Sequence, residues 1–178
     1  MKIIGVSGDG IGAGKSSFCR KLTNEVWSLA GALRDELKRV CPEYDWFNKS
    51  QEYKNQPFTH SSRLLDKLGC TTLEDLPRMR TVRDAMIVYG QWMCEQGGDN
   101  YWVRELTTKL DTRLHIMDGC RTIGIDDVRK VVEIEHLREK YHRDFIHFHL
   151  VTAAATAEPQ FENEQLKQMA DYTVSWEK

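Results

Sequence analysis

The chain has little of what marks a secreted, membrane-bound or nucleic-acid-coating protein. Five cysteines, Cys19, Cys41, Cys70, Cys94 and Cys120, are spread over 178 residues. Their odd number, wide spacing and lack of any C-x-x-C pair argue against a disulfide framework or a zinc site. There are four prolines, no internal repeat and no low-complexity tract, so no linker divides the chain. No apolar run is long enough to cross a bilayer, and Met1 to Val6 is too short for a signal sequence and reads as part of a strand. The net charge of −2 excludes a global basic field for capturing nucleic acid, while leaving room for a local patch. With 40% hydrophobic and 29% charged residues, the chain can bury a core, and a soluble protein of the reducing cytoplasm is expected.

One pattern is strongly present. Gly12-Ala13-Gly14-Lys15-Ser16 stands between an apolar run, Lys2 to Ser7, that reads as a strand and a stretch, Ser17 to Leu22, that reads as a helix. Successive backbone N–H groups at a helix N-terminus attract a polyphosphate, a lysine bridges its outer phosphates, and a serine hydroxyl ligates Mg²⁺. Gly10, Ile11, Gly12, Ala13, Gly14, Lys15, Ser16 and Ser17 are therefore the candidate binding residues for a nucleoside triphosphate, with Ser16 on the metal. Counted back from Lys15, the first glycine of G-x-x-x-x-G-K-[ST] falls on Asp9, flanked by Gly8 and Gly10. The loop is one residue long or re-formed. An acid beside a phosphate is repulsive, so Asp9 is expected to point outward or toward a cation.

Further along, Val26 to Ala30 reads as a short strand, and Gly31 to Val40 has helical spacing at Leu33, Leu37 and Val40, ended by Pro42. Glu43 to Arg80 is polar and aromatic, with turns at Pro57 and Pro77 and a short helix around Ser62 to Leu68. This stretch reads as a substrate-facing insert. Thr81 to Glu95 is a helix running from a threonine cap to the Gly97-Gly98 pair, and Tyr101 to Leu110 is another. Leu114 to Met117 reads as a buried strand ending at Asp118, the position of a second Mg²⁺ anchor. Asp126 to Tyr141 follows as a helix, Phe145 to Val151 as a strand, Glu162 to Ala170 as a helix and Tyr172 to Trp176 as a last strand. Strands alternating with helices imply an α/β fold with a parallel sheet, right-handed crossovers and ligands at the carboxyl ends of the strands.

Four segments resemble the phage-type deoxynucleoside monophosphate kinases, a branch of the P-loop nucleoside monophosphate kinases. They are MKIIGVSG…GAGKSS; SLAGALRDEL, Ser28 to Leu37, with Arg34 at the family's basic position; TVRDAMIVYG…GDNYWVREL, with Arg83, Gly90, Asp99 and Trp102 at matching spacing; and LHIMDGCR, similar to a strand ending in Asp-x-Arg with one more residue between Asp118 and Arg121. The resemblance spans residues 1 to about 151. It implies a three-layer α/β/α P-loop kinase fold as a single domain over 1–178, with a helical insert over about 31–110 and a short lid-like segment over about 152–165. It also implies Mg²⁺-dependent transfer of the γ-phosphoryl group of ATP to a deoxynucleoside 5′-monophosphate, giving the diphosphate. Lys15, Asp118, Arg121 and Arg83 are then the catalytic candidates, Ser16 and Asp118 hold the metal, and Arg34, Tyr53, Arg83, Asp99 and Trp102 bind substrate, with Trp46 as a further stacking surface. The location implied is the cytoplasm, that of the host if the chain is phage-encoded. Relatives of this branch are often dimers, and aromatic surface near Trp46 and Phe47 would serve as an interface, unless the same residues fold inward.

Two departures from the family pattern leave alternatives open. No basic residue lies between Arg143 and Lys167, where the family carries lid arginine or lysine. A P-loop kinase acting on hydroxymethylated pyrimidines within DNA, or a nucleotide-binding module without transfer, suits that absence. A rival register also sets the acid–arginine pair at Asp127, Arg129 and Glu133; Asp118 and Arg121 are preferred as the end of a strand. Bland roles stand beside these. Arg34 and Arg83 suit surface ion pairs, Trp102 and Tyr53 suit packing, and His147 and His149, sharing one strand face, suit a satisfied structural role better than a metal site.

Overall fold

β1, Lys2–Gly8, is buried at every residue after Lys2, as expected of a strand covered on both faces. A computed structural model describes residues 2–9, 13–48, 50–59, 61–70, 79–116, 121–152 and 162–175. Among them are five strands in one sheet of order β2-β3-β1-β4-β5 and eight helices. The other strands are β2, Glu25–Trp27; β3, Thr122–Ile125; β4, Phe145–Val151; and β5, Tyr172–Ser175. Every pairing is parallel, with Ile3 opposite Ile123 on one side and Phe145 on the other. The fold is thus α/β with an all-parallel sheet in a three-layer α/β/α arrangement.

α1, Lys15–Leu22, covers one face, where its Phe18 and Cys19 pack on Ile4, Val6 and Leu150. It lies so close to β3 that a Cβ on Gly124 would fall 2.1 Å from Cys19 Sγ. Only glycine fits there. α7, Val131–Tyr141, and α8, Glu162–Gln168, pack on the other face against β4 and β1.

The chain divides into two compact units, one of Met1–Leu29 with Val103–Lys178 and the other of Ala30–Trp102. The second is the helical insert, narrower than the expected 31–110 because the helix after Trp102 belongs to the sheet's unit. Its core gathers Leu37, Trp46, Phe58, Leu64 and Tyr89 from α2, Leu29–Val40, from α4, Ser62–Leu68, from α5, Val82–Gly97, and from the chain between them. The single turn α3, Gln51–Lys54, was not legible in the sequence. The Thr81 cap is present: its side chain accepts the Asp84 N–H, and Asp84 returns the bond in a capping box.

Several expected boundaries move. Leu114 to Ile116 is not a strand but the end of α6, Tyr101–Ile116; Leu106 and Leu110 are buried, and Leu114 continues their spacing of four, a helical stripe. The strand is β3, eight residues later. α2 begins at Leu29, so Leu29 and Ala30 leave the expected strand. α7 begins at Val131 rather than Asp126, because the Asp126 and Val128 N–H groups donate to Trp27 and Val6 and extend the sheet pattern. No helix among the described residues is long and apolar enough to cross a membrane.

Candidate functional site

The sheet's geometry brings three acids to one lysine. Gly14 caps α1 with φ of 80°, a left-handed conformation that suits glycine, and it turns the chain so that Lys15, Ser16 and Ser17 form the helix's first turn. Ala13 is buried. Gly10, Ile11 and Gly12 lie outside the described residues. Beside the end of β1, the chain leaving β3 continues in step, with the Val128 N–H donating to the Val6 carbonyl at 3.3 Å. This carries Asp126, Asp127 and Arg129 to the carboxyl edge of the sheet.

Lys15 registers that company. Burial lowers its pKa below the ordinary value, with Arg129 acting the same way, while Asp127, Asp126 and Asp9 oppose them. One cation, a neighbouring guanidinium and an acidic pair at a strand end can receive a polyphosphate and a divalent ion together. The Asp127 carboxylate also accepts the Leu29 N–H at 2.8 Å. Glu133, 8% exposed, accepts the Arg129 and Lys130 N–H groups at 2.7 and 3.0 Å. Burial pushes its carboxyl up to about 7, against the pull of those two bonds. Glu162 of α8 accepts the Val131 N–H at 3.0 Å. The N-terminus of α7 is therefore held by two carboxylates.

The preferred acid and arginine fare differently. Asp118 lies outside the described residues. Arg121 precedes β3 and its carbonyl accepts the Lys2 N–H at 3.1 Å, so it sits at the amino end of the sheet, a strand's length from Lys15. Its assignment beside the phosphates is corrected. The Asp-x-Arg sequence following the strand is Asp127-Val128-Arg129, the rival register; the spacing was legible, but an apolar run at Leu114 drew the strand to the wrong place.

The substrate candidates all belong to the insert unit. Arg34 on α2 has a buried Nε without a hydrogen-bond partner. Arg83, exposed on α5, donates to Gln51 Oε1. The Tyr53 hydroxyl accepts the Asp45 N–H at 2.6 Å. Asp99 is exposed between α5 and α6. Trp102 is half-buried, its Nε1–H donating to the Gly90 carbonyl at 3.0 Å and its ring meeting Tyr101 edge-on; the glycine–tryptophan spacing is a packing contact. Trp46 is 1% exposed and donates to the Cys41 carbonyl, so it offers neither a stacking surface nor an interface. Phe47 is 43% exposed.

The insert also contains a carboxylate hub that sequence reading missed. Glu36 accepts Lys67 Nζ and the Tyr89 hydroxyl, both at 2.9 Å, on Oε1, and the Tyr101 hydroxyl at 3.2 Å on Oε2. Burial alone would raise its pKa; the hydrogen bonds from Lys67, Tyr89 and Tyr101, with the Lys67 charge, bring it below the ordinary value. No signal short of the three-dimensional meeting of these helices would have found it.

Among the described residues no group of three or more His, Cys, Asp and Glu side chains could hold a metal. Mg²⁺ in a phosphate site needs no such cage, being bound by one hydroxyl or carboxylate, by phosphate and by water. Neither a scan of protein-family models nor a search of curated proteins finds a match for this chain.

Proposed function

We propose that the chain is a Mg²⁺-dependent phosphotransferase that moves the γ-phosphoryl group of ATP to a deoxynucleoside 5′-monophosphate. The observation that carries this reading is Lys15 at the N-terminus of α1, within the field of Asp126, Asp127 and Arg129 from the neighbouring strand's end.

In this reading Lys15 and the N–H groups of the first turn of α1 hold the β- and γ-phosphates. Ser16 and a carboxylate oxygen of Asp126 or Asp127 would hold Mg²⁺, which would supply positive charge to offset that of the phosphates. Arg129 supplies the cation that the segment after β4 lacks, spreading positive charge over the transferring group. Arg34 and Arg83 are the guanidinium forks for the acceptor phosphate, a dianion that arginine grips better than lysine. Catalysis is alignment and charge neutralisation, with no covalent enzyme intermediate required.

The test is ATP consumption with Mg²⁺ against free deoxynucleoside monophosphates, including hydroxymethylated pyrimidines, and against DNA duplexes containing those bases. Conversion of a free monophosphate supports the reading and identifies the base. Turnover confined to DNA moves the acceptor to the polymer, and silence on both, with ATP still bound, leaves a binding module.

A further inference from the structure

The sequence sets a problem at Asp9, an acid where a phosphate loop ordinarily carries glycine. A buried hydrogen-bonded chain answers it. The Ser7 hydroxyl lies 2.7 Å from His147 Nε2 and 2.8 Å from His149 Nδ1, and His149 Nε2 lies 2.8 Å from Asp9 Oδ1. The register pairs Gly5 with His147 and Ser7 with His149, so Ser7 and both imidazoles share one face of the sheet.

Serine, histidine and aspartate in this order suggest a nucleophile, and the burial argues otherwise. Ser7, His147 and His149 are each 0% exposed, and the hydroxyl is enclosed by two rings, leaving no path for a substrate. The chain holds rather than reacts. An ionised carboxylate only accepts, so His149 Nε2–H donates to Asp9. In that tautomer the His149 Nδ1 accepts the Ser7 hydroxyl, whose oxygen in turn accepts His147 Nε2–H. Burial keeps His147 neutral, its pKa pushed down to about 4.

Asp9 is secured at its other polar groups as well. Its N–H donates to the Leu150 carbonyl at 3.1 Å, and its carbonyl accepts Asn163 Nδ2 at 3.3 Å. Of the three acids that act on Lys15, Asp9 acts least.

We propose that His149 is a positioning residue of the phosphate loop: it binds the Asp9 carboxylate against the buried face of the sheet, so that a loop beginning with an acid still accepts a polyanion. Without His149, the released carboxylate repels the phosphates and competes for Lys15. The proposal rests on the phosphate-loop reading of the site.

The experiment compares wild type, His149→Leu, His149→Gln and the double variant His149→Leu/Asp9→Asn for binding of Mg²⁺–ATP and inorganic triphosphate. Amide exchange at Asp9 and Ala13 to Ser17 is followed without ligand. His149→Leu should weaken both ligands about tenfold, the scale of one charge-assisted hydrogen bond, and speed exchange at Asp9. His149→Gln, whose amide can still donate to Asp9, should regain most of both. Adding Asp9→Asn should restore binding to His149→Leu without restoring slow exchange, because the repulsive charge is gone. Unchanged binding and exchange in His149→Leu, glutamine no better than leucine, or no recovery on adding Asp9→Asn overturns the proposal. A wild-type protein that binds neither ligand overturns the phosphate-loop reading instead, and the exchange measurements then still decide whether His149 holds Asp9. Should His149→Leu fail to fold, Asp9→Asn in the wild-type background should bind triphosphate at least as tightly as wild type; weaker binding overturns the proposal.

Discussion

The Asp127 carboxylate accepts the backbone N–H of Leu29 at 2.8 Å, so the acid beside Lys15 also closes the first turn of α2. That N–H is one of the donors a helix leaves unpaired at its start. Asp127 therefore has a charge that acts on Lys15 and an acceptor used by the fold, and the two can be separated.

Asp127→Asn keeps the acceptor and should hold stability within about 1 kcal/mol while lowering the proposed transfer by about tenfold or more. Asp127→Ala should lose both, with a stability cost of roughly 1–2 kcal/mol, the worth of a helix cap. Denaturant unfolding and ATP turnover on the two variants check this, and full turnover in Asp127→Asn would remove the residue from the phosphate site.

Arg129→Ala should lower kcat by about a hundredfold or more, as for loss of a group that meets transition-state charge. Arg121→Ala, altered at the amino end of the sheet, should stay within about twofold of wild type. The reverse pattern would return the acid–arginine pair to the Asp118 register.

Glu133 makes stability fall with rising pH over a defined window. Its folded pKa, about 7, lies above the ordinary glutamate value of 4.5, so between these values the folded state holds a proton that the unfolded state has released. Stability should drop as pH rises through that interval, by up to about 3 kcal/mol, and level off above it. Glu133→Gln keeps an acceptor for the Arg129 and Lys130 N–H groups and should flatten the profile. A wild-type profile already flat from pH 5 to 7 would contradict this.

Glu36 acts in the opposite sense. Its folded pKa is lowered, so the stability it contributes is present above the ordinary glutamate value and is lost as pH falls below it. Glu36→Ala strands the Lys67 ammonium and two tyrosine hydroxyls, one of them on a fully buried ring, and should cost roughly 2–4 kcal/mol at neutral pH. Urea unfolding at pH 7 and pH 4 would register both effects.

Elements with strong local signals were legible in the sequence. α4 and β4 have the bounds their spacing predicts, and the Thr81 cap is where the residue type places it, because capping and alternation are properties of a few neighbouring residues. The error at Leu114 has the opposite origin. A short apolar run suits a helix end as well as a strand, and the strand itself is Thr122–Ile125, whose Gly124 breaks the apolar pattern where α1 packs against it. Lys15 was visible as a motif, whereas its neighbours Asp126 and Asp127 and the His149 hold on Asp9 arise from residues more than a hundred positions away. The polar stretch around Trp46 suits surface and core alike, and only the folded insert reveals that its ring fills the core.

The pairing of Ile3 with both Ile123 and Phe145 has a consequence for how the protein is made. Such distant contacts close long loops, and they form late and slowly. During synthesis β1 leaves the ribosome with neither neighbour in existence, and it must wait for more than a hundred residues before either edge is covered. His149 and Leu150, two of the partners of Asp9, arrive with the late strand β4. The arrangement that joins His149 to Asp9 is thus absent from the nascent chain until β4 has emerged, and in the interval the bare apolar strand is a segment in need of a chaperone.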